Sequence, residues 1–287
     1  MPELKFTKMQ SVGNDYIYFN CFDPEILALT TNTESLAIAL SHRRFSIGSD
    51  GIILILPPES ENTSDAKMRI FNADGSEGKM CGNAIRCVAK YLFDNRIVEK
   101  KAMAIDTLSG VKTLALGIES GLVTSVKVDM GQAILAPKDI PVKLEGESVI
   151  ARPVEIGGNN YDITCVSMGN PHAIVFCKDI EKLNLAEIGP LFERNTLFPD
   201  RVNTEFVDVV SKNHLKMRVW ERGSGETFGC GTGACAAAVA AVLNGHCDKN
   251  VDIKVLLHGG ELIIRCTDET VFMTGGAEKA FDGVVTI

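Results

Sequence analysis

The chain has no uninterrupted apolar stretch long enough to cross a bilayer, and no apolar leader-like core between Met1 and Gln10. Neither a membrane helix nor a secretion signal is therefore expected. Aromatic residues are scarce, at 6%, with a single tryptophan. Lysine and arginine never form a long run, and the formal net charge is −8. A nucleic-acid partner thus has little electrostatic or stacking basis, and the acidic excess serves mainly solubility. Low-complexity segments are also missing. So is compact Cys-x-x-Cys spacing, which argues against a structural zinc site.

What is present is a chain of 287 residues with 45% apolar content, enough to bury two ordinary cores. Nine cysteines without a secretion signal read as reduced thiols in a cytoplasmic protein. Most are expected to behave as small hydrophobes. Cys165 and Cys177 lie in strand-like runs, and Cys87 and Cys235 lie inside helical ones.

Cys81 and Cys230 stand apart. Each follows a polar, glycine-rich approach and is followed by a glycine, a small polar residue and an apolar helical pattern. The first copy runs Asn72-Ala-Asp-Gly-Ser-Glu77-Gly-Lys-Met-Cys81-Gly82-Asn83, and the second Glu221-Arg222-Gly-Ser-Gly-Glu226-Thr-Phe-Gly-Cys230-Gly231-Thr232. Aligning the cysteines places Glu77 on Glu226 and Ala89 on Ala238. A second echo pairs Ser11-Val-Gly13-Asn14 with Ser167-Met-Gly169-Asn170, each leading into a short apolar strand. The two pairs occur in the same order, Asn14 lying 67 residues before Cys81 and Asn170 lying 60 before Cys230. Two echoes in register indicate a duplicated chain, and the period is too long for a solenoid.

Short β-branched runs dominate the remainder, such as Ile52–Leu56, Lys67–Phe71 and Leu215–Trp220, and several alternate apolar with polar residues. Helical patterns occur at Thr33–Ser41, Asn83–Asp94, Leu185–Phe192 and Gly233–Asn244. Many strands and two good helices per half disfavour a doubly wound parallel sheet. The expected fold is α/β of the α+β type: two homologous halves, each a curved, mixed, mostly antiparallel sheet around a central helix, related by a pseudo-twofold axis. The expected halves are residues 1–130, to which the C-terminal strand 276–287 would return, and residues 131–275. The crossing between them is expected at Asp129–Pro141.

A helix entrance aims backbone N–H groups at whatever lies beside the thiol, which favours a thiolate and holds an anion. Two thiols serving opposite faces of one carbon could exchange a proton and invert a stereocentre, provided that backbone donors stabilise the carboxylate as it becomes enediolate-like. The plain alternative is that both cysteines simply pack at helix starts, as buried cysteines often do. Zinc fits less well: Cys81/Cys87 and Cys230/Cys235 do not share a helix face at about 100° per residue. Gly229 to Ala234 matches Gly-x-Gly-x-x-Ala, but the first copy, Met80 to Ile85, lacks that pattern, so nucleotide binding is the weaker account.

Other residues carry two readings each. Arg222 is a surface arginine or a bidentate carboxylate clamp. Glu221 is a solvated carboxylate or an ammonium holder. Asn14, Asn72, Asn170 and Asn203 sit at expected strand ends or turns, where asparagine often plays a conformational part. His172 either tunes a thiol or is a satisfied structural histidine.

These motifs, together with Gly-Asn-Pro-His172, Arg201-Val-Asn203-Thr-Glu-Phe, the opening Lys8-Met-x-x-Val-Gly-Asn14-Asp and the terminal Thr274-Gly-x-Ala-Glu-x-Ala-Phe, closely resemble the diaminopimelate epimerase family. The likeness covers essentially the whole chain. It implies a cofactor-independent enzyme, without pyridoxal phosphate, that interconverts LL- and meso-diaminopimelate for lysine and peptidoglycan precursor synthesis. It also implies Cys81 and Cys230 as the acid–base pair. Substrate contacts implied are Asn14, Asn72, Gly82, Asn83, Asn170, Asn203, Glu221, Arg222, Gly231 and Thr232, with His172 and Glu221 modulating the thiols or the reacting ammonium. Arg222, Asn72 and Asn203 would serve the distal amino-acid end. Some members carry a substrate-contacting glutamine where Gly51 stands, so no side-chain contact is expected there. The expected partner is a small-molecule substrate, not nucleic acid or membrane; a homodimer is left open. The alternatives are a proline- or histidine-type two-cysteine racemase on the same fold, or a thiol-redox protein with a regulatory Cys81–Cys230 disulfide.

Overall fold

A computed structural model describes residues 2–287. It divides into two units, one within Met1–Val128 and Gly275–Ile287, the other Asp129–Thr274.

The first unit contains β1 (Glu3–Ser11), β2 (Asn14–Asn20), α1 (Pro24–Leu29), α2 (Thr33–Ser41), β3 (Gly51–Leu56), β4 (Ala66–Asn72), β5 (Glu77–Gly78), α3 (Gly82–Asp94), β6 (Ala102–Asp106), β7 (Lys112–Glu119) and β8 (Leu122–Asp129). The second contains β9 (Arg152–Ile156), β10 (Asn159–Ser167), β11 (Pro171–Phe176), α4 (Leu185–Glu193), β12 (Asn203–Ser211), β13 (His214–Glu221), β14 (Gly225–Thr227), α5 (Gly231–Leu243), β15 (Asp252–Leu257), β16 (Gly260–Cys266) and β17 (Val271–Gly275). The final strand, β18 (Glu278–Thr286), pairs antiparallel with β1.

Strand pairing repeats step for step. In the first unit β1–β2 is antiparallel, β2–β3 parallel and β3–β4 antiparallel. The β4–β5 hairpin follows, then β4–β6 parallel and β6–β7 antiparallel. In the second unit β10–β11 is antiparallel, β11–β12 parallel and β12–β13 antiparallel. The β13–β14 hairpin follows, then β13–β15 parallel and β15–β16 antiparallel. Each parallel step is bridged by helix, α1–α2 or α4 on one sheet face, and α3 or α5 on the other. The mixed, mainly antiparallel sheet around one long helix is the architecture expected from the sequence.

Both sheet faces are covered, so the central strands carry continuous apolar side chains rather than an alternating pattern. In β3, Ile52 and Leu54 face the cluster containing Ala37 and Leu40 of α2, and Ile53 and Ile55 point to the other side. In the second unit Cys165, Ala173, Val175 and Phe206 form a core with Phe192 of α4. Helix α5 is buried almost all round, Ala234 to Ala238 and Ala240 to Ala241 having no exposure. Its alanines let the strands approach the helix closely, and any larger side chain would overpack it.

Three helices rather than two form in the first unit. The extra one, α1, is six residues long, too short to show a hydrophobic period. It is instead started by Pro24 in its first turn and by the Asp23 carboxylate, which accepts from the Glu25 amide at 2.9 Å.

Candidate active site

Cys81 and Cys230 occupy the same position in their units. Each is the N-cap of the central helix, with extended backbone angles (φ −136°, ψ 119° and φ −111°, ψ 113°), and each is followed by a buried glycine as the first helical residue. The hairpins that deliver them are also matched. Arg69 of β4 grips Glu77 through two parallel bonds of 2.7 and 3.0 Å. Arg218 of β13 grips Glu226 the same way at 2.8 and 3.0 Å. These forked pairs fix the hairpin geometry. The paired glutamates of the repeated motif thus serve the approach loops.

In the first unit a tight turn at Val12 and Gly13, both with positive φ (47° and 79°), brings Asn14 to the head of β2. Asp50 Oδ2 accepts from Asn14 Nδ2 at 2.6 Å, which turns Asn14 Oδ1 toward the helix entrance. There it accepts from Cys81 Sγ and from Asn83 Nδ2, both at 3.5 Å. Asp50 is itself held by Arg43 at 2.7 Å. Arg86, with no exposed surface, donates to Asn83 Oδ1 at 2.9 Å and to the Gly82 carbonyl at 3.0 Å. Cys81, Asn83 and Asn14 therefore form one cluster. Asn72 is exposed at the end of β4 and donates to Ser76 Oγ at 3.0 Å within its own turn.

Gly51 pairs with Asn72 in the ladder. A Cβ there would lie 2.1 Å from the Phe71 carbonyl oxygen, so the backbone admits no side chain at this position.

In the second unit Gly169 takes a φ of 96° in the turn before Asn170. Asn170 Nδ2 donates to Thr232 Oγ1 at 3.3 Å, and Thr232 Oγ1 lies 3.4 Å from Cys230 Sγ. The Gly233 amide donates to the same sulfur at 3.3 Å. His172 is fully buried between Glu205 Oε1, 2.7 Å from Nδ1, and Asn170 Oδ1, 3.0 Å from Nε2. Glu221, at the end of β13, accepts from the Thr227 hydroxyl. Asn203 Oδ1 accepts from the Arg222 amide at 2.7 Å, while the exposed Arg222 guanidinium donates to the Asp200 carbonyl at 2.8 Å. Cys230, Thr232, Asn170 and His172 are thus one network, whereas Asn203 and Arg222 form a second, loop-shaping pair.

The electrostatics differ from the expectation that a helix entrance alone depresses the thiol. Burial, then the carboxylate of Glu221, then that of Glu205, push Cys230 well above the ordinary thiol range, against the Thr232 hydroxyl and the Gly233 amide. Burial also raises Glu221. Desolvation beside two carboxylates outweighs two donors in the free protein. The bystander cysteines remain thiols for the simpler reason of burial: Cys87 is pushed to about 11, and Cys165 and Cys266 to about 12.

Asp50, Arg86 and Glu205, which join these clusters, had no role assigned from the sequence. Arg86 lies three residues after Asn83 and four after Gly82, so its helical spacing from the cysteine motif was the available signal. Glu205 shares β12 with a second acid, Asp208, so its charge alone did not single it out.

The solved structures of a hydroxyproline epimerase from Agrobacterium vitis and of a PhzF-family phenazine biosynthesis protein from Bacillus anthracis share this fold. The first aligns with a TM-score of 0.70 at 13% identity, over 99% of this chain and 92% of the other. The second gives 0.70 at 17%, over the full length of both. They define the fold class to which this chain belongs, a mixed α+β fold.

The family follows from sequence. The diaminopimelate epimerase family model matches residues 6–136 and 164–280. A diaminopimelate epimerase of Acetivibrio thermocellus is 50% identical over 286 residues, covering 99% of each chain. One from Methanococcus maripaludis is 47% identical over 286 residues, covering 99% of this chain and 100% of the relative. The chain belongs to the diaminopimelate epimerase family and is an isomerase. Among the described residues, no helix is long and apolar enough to cross a membrane.

Proposed function

We propose that this enzyme interconverts LL- and meso-diaminopimelate by a two-base mechanism, with Cys81 and Cys230 as the acid–base pair. One sulfur, as thiolate, takes the α-proton; the other, as thiol, returns a proton to the opposite face, and the two exchange protonation states in each turnover. The helix-start amides near Gly82–Asn83 and Gly231–Thr232 stabilise the substrate carboxylate as negative charge moves onto it, the step where stabilisation lowers the barrier most. No cofactor takes part in this scheme.

The observation that carries the reading is the duplicated device itself: a forked Arg–Glu hairpin, a cysteine at the N-cap of the central helix, and an asparagine directed at that entrance, once per unit. Packing alone does not require the same polar apparatus twice. The raised Cys230 thiol fits a site that ionises on binding, because the substrate ammonium beside Glu221 would offset the carboxylates that suppress the thiolate. Asn14, Asn83, Asn170 and Thr232 orient the reacting end. Arg222, Asn72 and Asn203 serve the distal amino acid, so substrates without it forgo those contacts and should be turned over poorly. Lysine and peptidoglycan precursor synthesis in the reducing cytoplasm is the setting that suits free thiols.

The test is conversion of LL-diaminopimelate to the meso form by the purified chain, with proline as the control. Turnover of proline and none of diaminopimelate would overturn the assignment.

A further inference from the structure

We propose that Glu205 is a positioning residue for the reaction, acting through His172 to set the direction of the hydrogen-bond chain that ends on Cys230 Sγ. This rests on the reading of Cys230 as one of the reacting thiols.

Glu205 and His172 are both without exposed surface. Adjacent parallel strands bring them together, His172 lying opposite Asn203 and Glu205 following two residues later on the same face. Oε1 of Glu205 is 2.7 Å from His172 Nδ1, while Oε2 has no hydrogen-bond partner among the described residues. A carboxylate stripped of water and half satisfied is costly to keep in a core. Room for it is also reserved: a Cβ on Gly233 would fall 2.6 Å from Oε1. The carboxylate therefore lies against the first turn of the helix that Cys230 begins, where the free amides favour negative charge.

Donor and acceptor roles then propagate in one direction. Glu205 Oε1 can only accept, so Nδ1 carries a proton. His172 Nε2 faces Asn170 Oδ1 at 3.0 Å, also an acceptor, so Nε2 donates as well, and Glu205 is the counter-ion of a doubly donating ring. With its oxygen engaged, Asn170 points Nδ2 at Thr232 Oγ1, leaving the Thr232 hydroxyl proton free for Cys230 Sγ. Four links carry orientation from a buried carboxylate to the sulfur. The ionisable groups around Cys230 are Glu221 from β13, Glu205 from β12 and His172 from β11. Of these, only Glu205 is bonded to His172.

The experiment combines nitrogen-15 NMR of the His172 ring with steady-state kinetics in the parent and Glu205→Gln enzymes. In the parent, both ring nitrogens should be protonated, the Nδ1 proton far downfield and slow to exchange. In Glu205→Gln that proton should move upfield, and kcat should fall roughly ten- to a hundredfold with KM within about twofold. In a Cys81→Ala background, the pH at which Cys230 is half alkylated should move down in Glu205→Gln, because an anion beside the thiol has gone. Glu205→Asp, which keeps the charge, should leave it in place.

A parent ring with unprotonated Nδ1 overturns the proposal even if the variant fails to fold. So does unchanged turnover in a folded Glu205→Gln enzyme, or a loss of turnover that tracks Tm while the ring signal stays put. An inactive parent that still shows the ring signal and the alkylation shift would sink the epimerase reading and leave only the Glu205–His172 control of the Cys230 thiol supported.

Discussion

Replacing Glu193 by glutamine isolates a buried carboxylate that shapes the Arg222 loop without touching either thiol. Glu193 is 4% exposed and accepts three bonds, from Trp220 Nε1 at 2.8 Å, the Gly223 amide at 3.0 Å and Arg201 Nη1 at 3.2 Å. Burial alone would raise this carboxyl group. The indole and amide donors and the Arg201 guanidinium together outweigh it and hold Glu193 below the ordinary carboxylate range. Glutamine keeps the shape but offers only one accepting oxygen, so its NH₂ must face a donor. A buried donor left unpaired costs about 1–3 kcal/mol. At about 2 kcal/mol, a unit of this size should lose about 4–8 °C in Tm.

The chain's single tryptophan is itself one of the donors, so its fluorescence during urea unfolding reports on this unit directly. The sign with pH is fixed by linkage. A carboxylate depressed in the folded state stabilises fully above its unfolded value of about 4.3, and that contribution is lost as pH falls through the folded value. The gap between parent and Glu193→Gln should therefore be complete at neutral pH and close on acidification. Since Gly223 adjoins Arg222, KM for diaminopimelate should rise several-fold while kcat changes less. An unchanged urea midpoint at pH 7, or a gap that widens in acid, would refute the reasoning.

Further outcomes are expected. Cys81→Ala and Cys230→Ala should each abolish epimerisation, by at least about a thousandfold, with circular dichroism unchanged; near-normal turnover in either would rule out two bases. Gly51→Gln should destabilise by about 3 kcal/mol or more rather than supply a substrate contact, because its Cβ meets the Phe71 carbonyl; a folded variant with parental Tm would contradict this. Gly189→Ala should also destabilise, its Cβ falling 2.3 Å from the Trp220 ring, and a red-shifted tryptophan emission is the signature to measure. Alkylation of Cys230 in the free enzyme should be slow at pH 7 and accelerate steadily into alkali, since burial, Glu221 and Glu205 oppose its ionisation; rapid neutral-pH labelling would contradict that.

Much of this was legible beforehand, for identifiable reasons. Helix α2 begins and ends where its apolar spacing does, and α3, α4 and α5 differ from their patterns by at most two residues at either end. The small side chains of the Ala234–Leu243 run suit the close approach of strands to α5. Not read as strands from the sequence were β1, β6, β7 and β9, and the two- and three-residue β5 and β14, too short to show a period. The polar clusters were only half readable. Cysteine, glycine and asparagine spacing marked the helix entrances. The partners that orient them, such as Asp50 just before β3 for Asn14 and Glu205 in β12 for His172, are brought in by parallel strand steps, a long-range pairing that no local pattern encodes. For the same reason the joint upward push of burial, Glu221 and Glu205 on Cys230 was invisible until the neighbours were placed.

The most direct measurement follows LL-diaminopimelate in D₂O through the first turnovers and reads deuterium at the α-carbon of both product and recovered substrate. If separate sulfurs serve the two faces, the meso product gains one solvent deuteron at the inverted carbon, and unreacted LL-substrate stays unlabelled. Product that keeps its original proton, or substrate that exchanges as fast as product forms, would mean that a single group does both jobs.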